Sequence, residues 1–161
     1  MPGLDSVQNL HPLTVHLPLA AWPLALAFFL FGVTRSDSGM RRAGRWLVHA
    51  ASLGAIVAVA FGLWASDQLG HDTPGHDHVH VHRDWMLGTS TASLLASGLA
   101  VWDARRVDGT SAIGVIAALL VTVGLSVVGA DYGAYLVFGH GVGMSPQSST
   151  APPTSTAEHS H

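Results

Sequence analysis

The sequence contains no cysteine and few charged residues, and both shortages narrow the chemistry open to it. Without cysteine the chain has no disulfide bond, no zinc or iron–sulfur site held by thiolates and no covalently attached c-type haem. Charged side chains make up 11% of the 161 residues, against 48% for apolar ones. Long stretches carry no Asp, Glu, Lys or Arg, which is the pattern that the hydrocarbon core of a membrane selects. We therefore expect a single all-helical membrane domain.

Two other signals are missing. The sequence has no phosphate-binding loop, no HExxH zinc motif and no recognisable nucleophile with its base, so we predict no catalytic activity of its own. The residues before the first apolar run include Asp5 but no Lys or Arg, so this start lacks the positive charge of a cleavable signal peptide. We expect the first apolar segment to stay in the membrane.

Four apolar runs predict four membrane-spanning helices. A helix needs about 20 residues to cross roughly 30 Å of hydrocarbon, and uncharged runs near this length cover residues 13–33, 46–66, 85–102 and 111–130. The third run is rich in Thr and Ser, so we expect it to face protein rather than lipid. The prediction is an integral membrane four-helix bundle over 1–144, in which 131–144 form a short irregular segment. The tail over 145–161 is rich in Ser, Thr and Pro and is predicted to be disordered.

Arginines mark one side of the predicted bundle. Six of the seven basic residues lie between the first and second spans or between the third and fourth: Arg35, Arg41, Arg42, Arg45, Arg105 and Arg106. By the positive-inside rule these two loops are cytoplasmic. Both termini and the loop over 67–84 are then expected on the extracytoplasmic side.

Histidines gather on the opposite side. Eight of the eleven histidines flank the predicted spans on this side: His11 and His16 begin the first span, five lie in the loop before the third, and His140 follows the fourth. Short connections in a four-helix bundle would bring these regions together at one end. Because neutral imidazole binds haem iron and Cu, Zn and Ni ions, the pattern indicates a cofactor or metal site there.

The loop before the third span has a histidine at every second position from 76 to 82. On an extended segment this period of two would put the imidazoles on one side of the chain, where several could share a divalent metal. The ligands predicted for such a site are His71, His76, His78, His80 and His82.

Short motifs resemble those of DUF2231, a bacterial family of predicted membrane proteins. They are the run from His11 to Pro18, the end of the second span from Gly62 to Asp67, His82 before the third span, and Gly139-His-Gly-Val-Gly143 after the fourth. The resemblance spans roughly residues 11 to 144. It implies the membrane fold without naming a reaction. With the arginine pattern, it predicts a multi-pass protein of the bacterial cytoplasmic (inner) membrane. The positions it highlights are His11, His16, Asp67, His82 and His140.

The leading hypothesis is a b-type cytochrome-like electron-transfer subunit that binds haem b near the extracytoplasmic face. Two imidazoles from facing elements would hold the iron, and the candidate pairs are His16 with His82 or with His140. Asp67 would orient a ligand through its second nitrogen, and Met144 is an alternative soft ligand. The predicted cofactor site comprises His11, His16, Asp67, His82, His140 and Met144.

Two other functions stay open. One is a membrane protein that binds a divalent transition metal, Cu, Zn or Ni, through the histidine-rich loop. The other is a cofactor-free accessory subunit of a larger membrane complex, whose small residues would serve contacts between helices. The expected partners are the lipid bilayer and other membrane subunits or a second copy of the chain, and we expect no nucleic acid.

Overall fold

A computed structural model describes residues 10–69, 74–106 and 111–142. In these ranges the chain forms a one-turn helix and four long ones: α1 (His11–Thr14), α2 (His16–Thr34), α3 (Ser38–Asp67), α4 (His76–Arg105) and α5 (Ser111–His140). The predicted all-helical fold is thereby confirmed. The tail over 145–161, predicted to be disordered, lies outside the described residues.

Local signals fix where the long helices begin and end. Asp37 caps α3, because its Oδ1 accepts hydrogen bonds from the backbone N–H groups of Gly39 at 2.8 Å and Met40 at 3.1 Å. Helix α4 starts directly after Gly75, whose φ of 83° favours glycine. Helix α5 ends at residue 140, where Gly141 takes a left-handed φ of 68°.

Helix α5 is longer than the sequence predicts. The glycines of 131–144 predict an irregular segment, and this prediction is wrong because the helix continues without a break to His140. Each glycine lowers helix stability by only about 1 kcal/mol, and packing offsets that cost. Leu136 is buried, and the ring of Tyr135 packs against His78 of α4 and against His140.

Most of the buried apolar side chains between the helices are alanines, and many large apolar side chains point outward. Helices α2 to α5 form a closed ring in which each contacts its two neighbours. Leu53 is 64% exposed and Val127 is 65% exposed, an arrangement that suits lipid better than water. Within the described ranges, three helices are long and apolar enough to cross a membrane: His11–Thr34, Ser38–Asp67 and Ser111–His140.

Helix α4 contains the predicted third span and is the most polar of the long helices. It is not one of the three helices apolar enough to cross a membrane by composition. Its polar residues Thr89 and Ser93 are fully buried, as expected for a run that faces protein. Its outward surface is apolar, with Leu94, Leu95 and Trp102 about half exposed or more.

The buried positions of the first hairpin, α1 to α3, recur in the second hairpin, α4 and α5. Trp22 and Ser93 are 71 residues apart and touch each other, with the indole Nε1 donating to the Ser93 hydroxyl at 2.8 Å. A residue that contacts its own counterpart lies near a two-fold axis. The hairpins therefore pack about an approximate two-fold axis. The same offset relates the buried pairs Ala25 and Ala96, Phe29 and Ala100, Gly32 and Asp103, Val48 and Leu119, Ala51 and Thr122, and Ala58 and Gly129.

Candidate functional site

Histidines from different helices meet at the end of the molecule where α2 and α4 begin and α3 and α5 end. We call this the histidine end. As predicted, His11, His82 and His140 all lie there. The other end carries Arg41 and Arg45 and is called the arginine end.

The ring of His11 is held by α3. Its Nδ1 lies 2.8 Å from the backbone carbonyl oxygen of Ala58. Because a carbonyl can only accept, Nδ1 carries the proton of the neutral ring and Nε2 carries the lone pair. Gly62, one turn further along α3, lets the ring approach the helix. A Cβ at that position would lie 3.0 Å from both Cε1 and Nδ1 of the ring.

The ring of His82 is held by α5 in the same way. Its Nδ1 donates to the carbonyl oxygen of Gly129 at 2.8 Å, and a Cβ on Gly133 would lie 3.0 Å from Cε1 of the ring. In each hairpin the histidine and its carbonyl partner are 47 residues apart. The internal repeat therefore includes a histidine, the carbonyl that orients it and the glycine that makes room for it.

The two rings are neighbours across the approximate two-fold axis. The ring centroids of His11 and His82 are 6.2 Å apart, and the ring planes are inclined by 82°. A backbone acceptor on the second nitrogen is a common way to orient histidines that bind metals through the first. We call His11 and His82 the paired histidines.

His82 precedes the predicted third span, and its surroundings favour the neutral ring. Burial lowers the pKa of His82 below its usual value; the hydrogen bond to Gly129 opposes this shift, and the nearby His11 adds to it. The net effect is a lowered pKa. Neutral imidazole is the form that donates a lone pair to a metal.

A second group of rings lies between α4 and α5. The ring centroid of His78 is 5.3 Å from that of His140 and 5.1 Å from that of Tyr135. Nε2 of His140 is buried and has no hydrogen-bond partner among the described residues. A Cβ on Gly75 would lie 2.7 Å from the His140 ring, so this glycine lets the start of α4 approach the end of α5. His140 thus packs with His78 and Tyr135.

The period-two prediction for residues 76 to 82 is wrong because this segment is helical. In a helix, positions four apart share a face, whereas positions two apart lie on roughly opposite sides. His78 and His82 both face α5. His76 and His80 form a separate pair, with their Nε2 atoms 3.1 Å apart.

The remaining predicted ligands lie apart from these groups. His16 is exposed at the start of α2 and makes no hydrogen bond or ring contact within the described ranges. Asp67 is exposed at the end of α3. His71 and Met144 lie outside the described residues. Nowhere in 10–69, 74–106 and 111–142 do three or more His, Cys, Asp or Glu side chains form a group that could hold a metal ion.

Sequence reasoning missed a buried charge network at the arginine end. Asp103 of α4 is 1% exposed and accepts hydrogen bonds from Arg41 at 2.6 Å and Arg45 at 3.1 Å. The hydroxyl of Ser111 donates to the same carboxylate at 2.9 Å. The spacing of Arg41 and Arg45 is a signal that could have found it, because residues one turn apart can reach one partner. The network ties α3 and α5 to α4.

Comparison with known proteins agrees with these motifs. The sequence profile of DUF2231, described as a predicted membrane protein, matches residues 7–146. No curated protein and no solved structure matches the chain. The matched residues include both hairpins and the paired histidines, and they confirm the resemblance that the motifs predict. The chain belongs to the DUF2231 family of predicted membrane proteins.

Proposed function

We propose that this protein is a b-type cytochrome-like electron-transfer protein of the membrane, which binds haem b between the paired histidines. One observation carries the proposal: His11 and His82 come from different hairpins, each is oriented by a backbone carbonyl, and their ring centroids are 6.2 Å apart. Two imidazoles that held one iron atom between them, each through a nitrogen about 2 Å from it, would have ring centres about 6 Å apart. The spacing of the pair therefore suits an iron atom between the rings.

The number of ligands favours haem over a bare metal ion at this position. A tightly held zinc ion usually has three or four protein ligands, and among the described residues no third His, Cys, Asp or Glu side chain joins the paired histidines. A porphyrin itself supplies four nitrogen ligands, so two imidazoles complete the coordination of its iron. The carbonyls of Ala58 and Gly129 would keep the rings oriented and Nε2 basic. Haem, when bound, supplies one-electron redox chemistry.

The geometry favours a different ligand pair from the pairs that the sequence predicts. His82 stays as one ligand. His16 is exposed, and His140 packs against His78 and Tyr135. In our proposal the second ligand is His11, whose ring lies next to that of His82. It replaces both His16 and His140.

We further propose an integral membrane four-helix bundle with the arginine end in the cytoplasm and both termini outside. Helix α4 is then the fourth spanning helix, because Thr89 and Ser93 are buried and its outward surface carries the large apolar side chains Leu94, Leu95 and Trp102. Six arginines cluster at the end opposite the histidines, in or beside the α2–α3 and α4–α5 connections, and this clustering supports the orientation. In a bacterium this corresponds to the cytoplasmic membrane, with the histidine end on the extracytoplasmic face.

The test is an oxidised-minus-reduced visible spectrum of the detergent-purified protein, with pyridine haemochrome quantification and metal analysis of the same sample. We expect near-stoichiometric haem b in the wild type. His11→Ala and His82→Ala should each lose the haem, because each removes one of the two imidazoles that would hold it. His16→Ala is the matched control. This variant should keep the haem, because the His16 side chain at the start of α2 is exposed.

Two outcomes would contradict the proposal in different ways. Haem retained in His11→Ala but lost in His16→Ala or His140→Ala would assign the iron to other ligands. A colourless wild-type protein from cells supplied with haem would exclude the cytochrome. The cofactor-free accessory subunit would then be the function to pursue, through the membrane proteins that co-purify with the chain.

A further inference from the structure

We propose that His76 and His80 form a second site, which chelates a divalent transition-metal ion at the start of α4. Their Nε2 atoms are 3.1 Å apart, and their ring centroids are 4.7 Å apart. Two imidazole nitrogens bound to one Zn or Cu ion at about 2.0–2.1 Å lie about 3 Å from each other. The two ligand atoms thus already have the separation that a shared ion requires, and the ion would replace the proton of their hydrogen bond.

The helix holds both ligands in place before any metal binds. Residues 76 and 80 are one turn apart, so their side chains share a face of α4. Gly75, with its φ of 83°, fixes where that first turn begins. His78 lies between them in sequence but faces α5, where it packs on Tyr135 and His140. The site therefore uses two of the four alternating histidines.

Charge at the site is balanced by a neighbouring carboxylate. The N-terminus of a helix carries a partial positive charge, which disfavours a cation. Asp77 lies in the first turn of α4, where its negative charge opposes this partial positive charge. His80 is exposed and His76 is half-buried, so an ion can arrive from water and keep water as its remaining ligands. Imidazole donors suit Cu²⁺, Ni²⁺ and Zn²⁺.

The test is calorimetric titration of the full-length, tag-free protein in detergent with Zn²⁺. We expect His76→Ala and His80→Ala each to weaken Zn²⁺ binding by at least about tenfold, which is the loss that removal of even an outer-shell partner of a ligand causes. His78→Ala is the matched control from the same turn and should leave the affinity unchanged. Because the His80 side chain is exposed, His80→Ala keeps the test valid if His76→Ala does not fold.

Two results would overturn this site. An equal loss of affinity in His78→Ala would mean that the histidines chelate as an extended segment. Unchanged affinity in both His76→Ala and His80→Ala would put the metal elsewhere. Haem measured on the same samples separates this proposal from the cytochrome, because both variants should keep their haem and the titration does not depend on haem being present.

Discussion

The two hairpins have equivalent residues at the histidine end and different ones at the arginine end. At the histidine end, each has a histidine bonded to a carbonyl 47 residues later and a glycine one turn beyond. At the arginine end, Gly32 of the first hairpin corresponds to Asp103 of the second, and Arg41 corresponds to Ala112. The repeat is thus preserved at one end of the molecule and lost at the other.

The two ends differ because like residues suit binding of a third body, whereas an ion pair needs unlike residues. Equivalent residues across a two-fold axis are alike, so they suit a third body placed between them, such as a metal-centred cofactor. They cannot form an ion pair with each other, because like charges repel. The ion pair between Asp103 and Arg41 therefore requires that the two hairpins differ at these positions. Trp22 and Ser93 differ for a related reason, since a large donor needs a small acceptor opposite it.

The largest effect is expected from a substitution at the arginine end. Asp103→Ala removes the shared partner of Arg41 and Arg45 and leaves two partly buried cations unpaired. We expect it to lower the free energy of unfolding by about 3 kcal/mol, as measured by denaturant titration in mixed micelles. Haem content should not change. The matched control is Asp84→Ala, whose ion pair with Arg83 is exposed and is worth about 0.5 kcal/mol.

A loss in Asp103→Ala as small as that of the control would mean that the network contributes little to holding α3 and α5 on α4. A loss of haem in the same variant would mean that the two ends are coupled. Either result would weaken the comparison between them.

A smaller effect is expected at the axis itself. Ser93→Ala leaves the buried Nε1–H of Trp22 without its acceptor and removes a partner of Ser52. The unsatisfied donor should cost about 2 kcal/mol of unfolding free energy. Thr91→Ala, on the exposed face of the same helix, should stay within about 0.5 kcal/mol of the wild type. Equal values for the two variants would show that the contact across the axis is energetically unimportant.

The smallest effect is expected from substitutions beside the paired histidines at the histidine end. Gly62→Ala and Gly133→Ala each place a Cβ about 3.0 Å from a paired histidine, and displacing an oriented ligand should weaken haem retention about tenfold. The two losses should be similar because the positions are equivalent. Gly124→Ala is the control, since its Cβ would meet nothing within 4 Å. A loss in only one of the glycine variants would argue against a cofactor held equally from both hairpins.

The sequence predicted the helices and the histidine end because both leave a signal in residue type. Uncharged runs mark the spans, and the arginines mark the end opposite the histidines. The choice of His11 over His16 left no such signal, because every residue offers a backbone carbonyl and the one that orients a ring depends on helix packing. Asp103 was missed because it directly follows the third apolar run, where it looks like the first residue of a loop.

Helices α4 and α5 have 30 residues each, and their length sets how far the histidine end stands from the lipid. Thirty helical residues measure about 45 Å, whereas the hydrocarbon core is about 30 Å thick. Beyond the predicted spans, both helices extend at the histidine end, over residues 76–84 and 131–140. The second hairpin would then stand about 15 Å above the hydrocarbon. Metal ions would then reach the site proposed on His76 and His80 from the aqueous phase rather than from the bilayer.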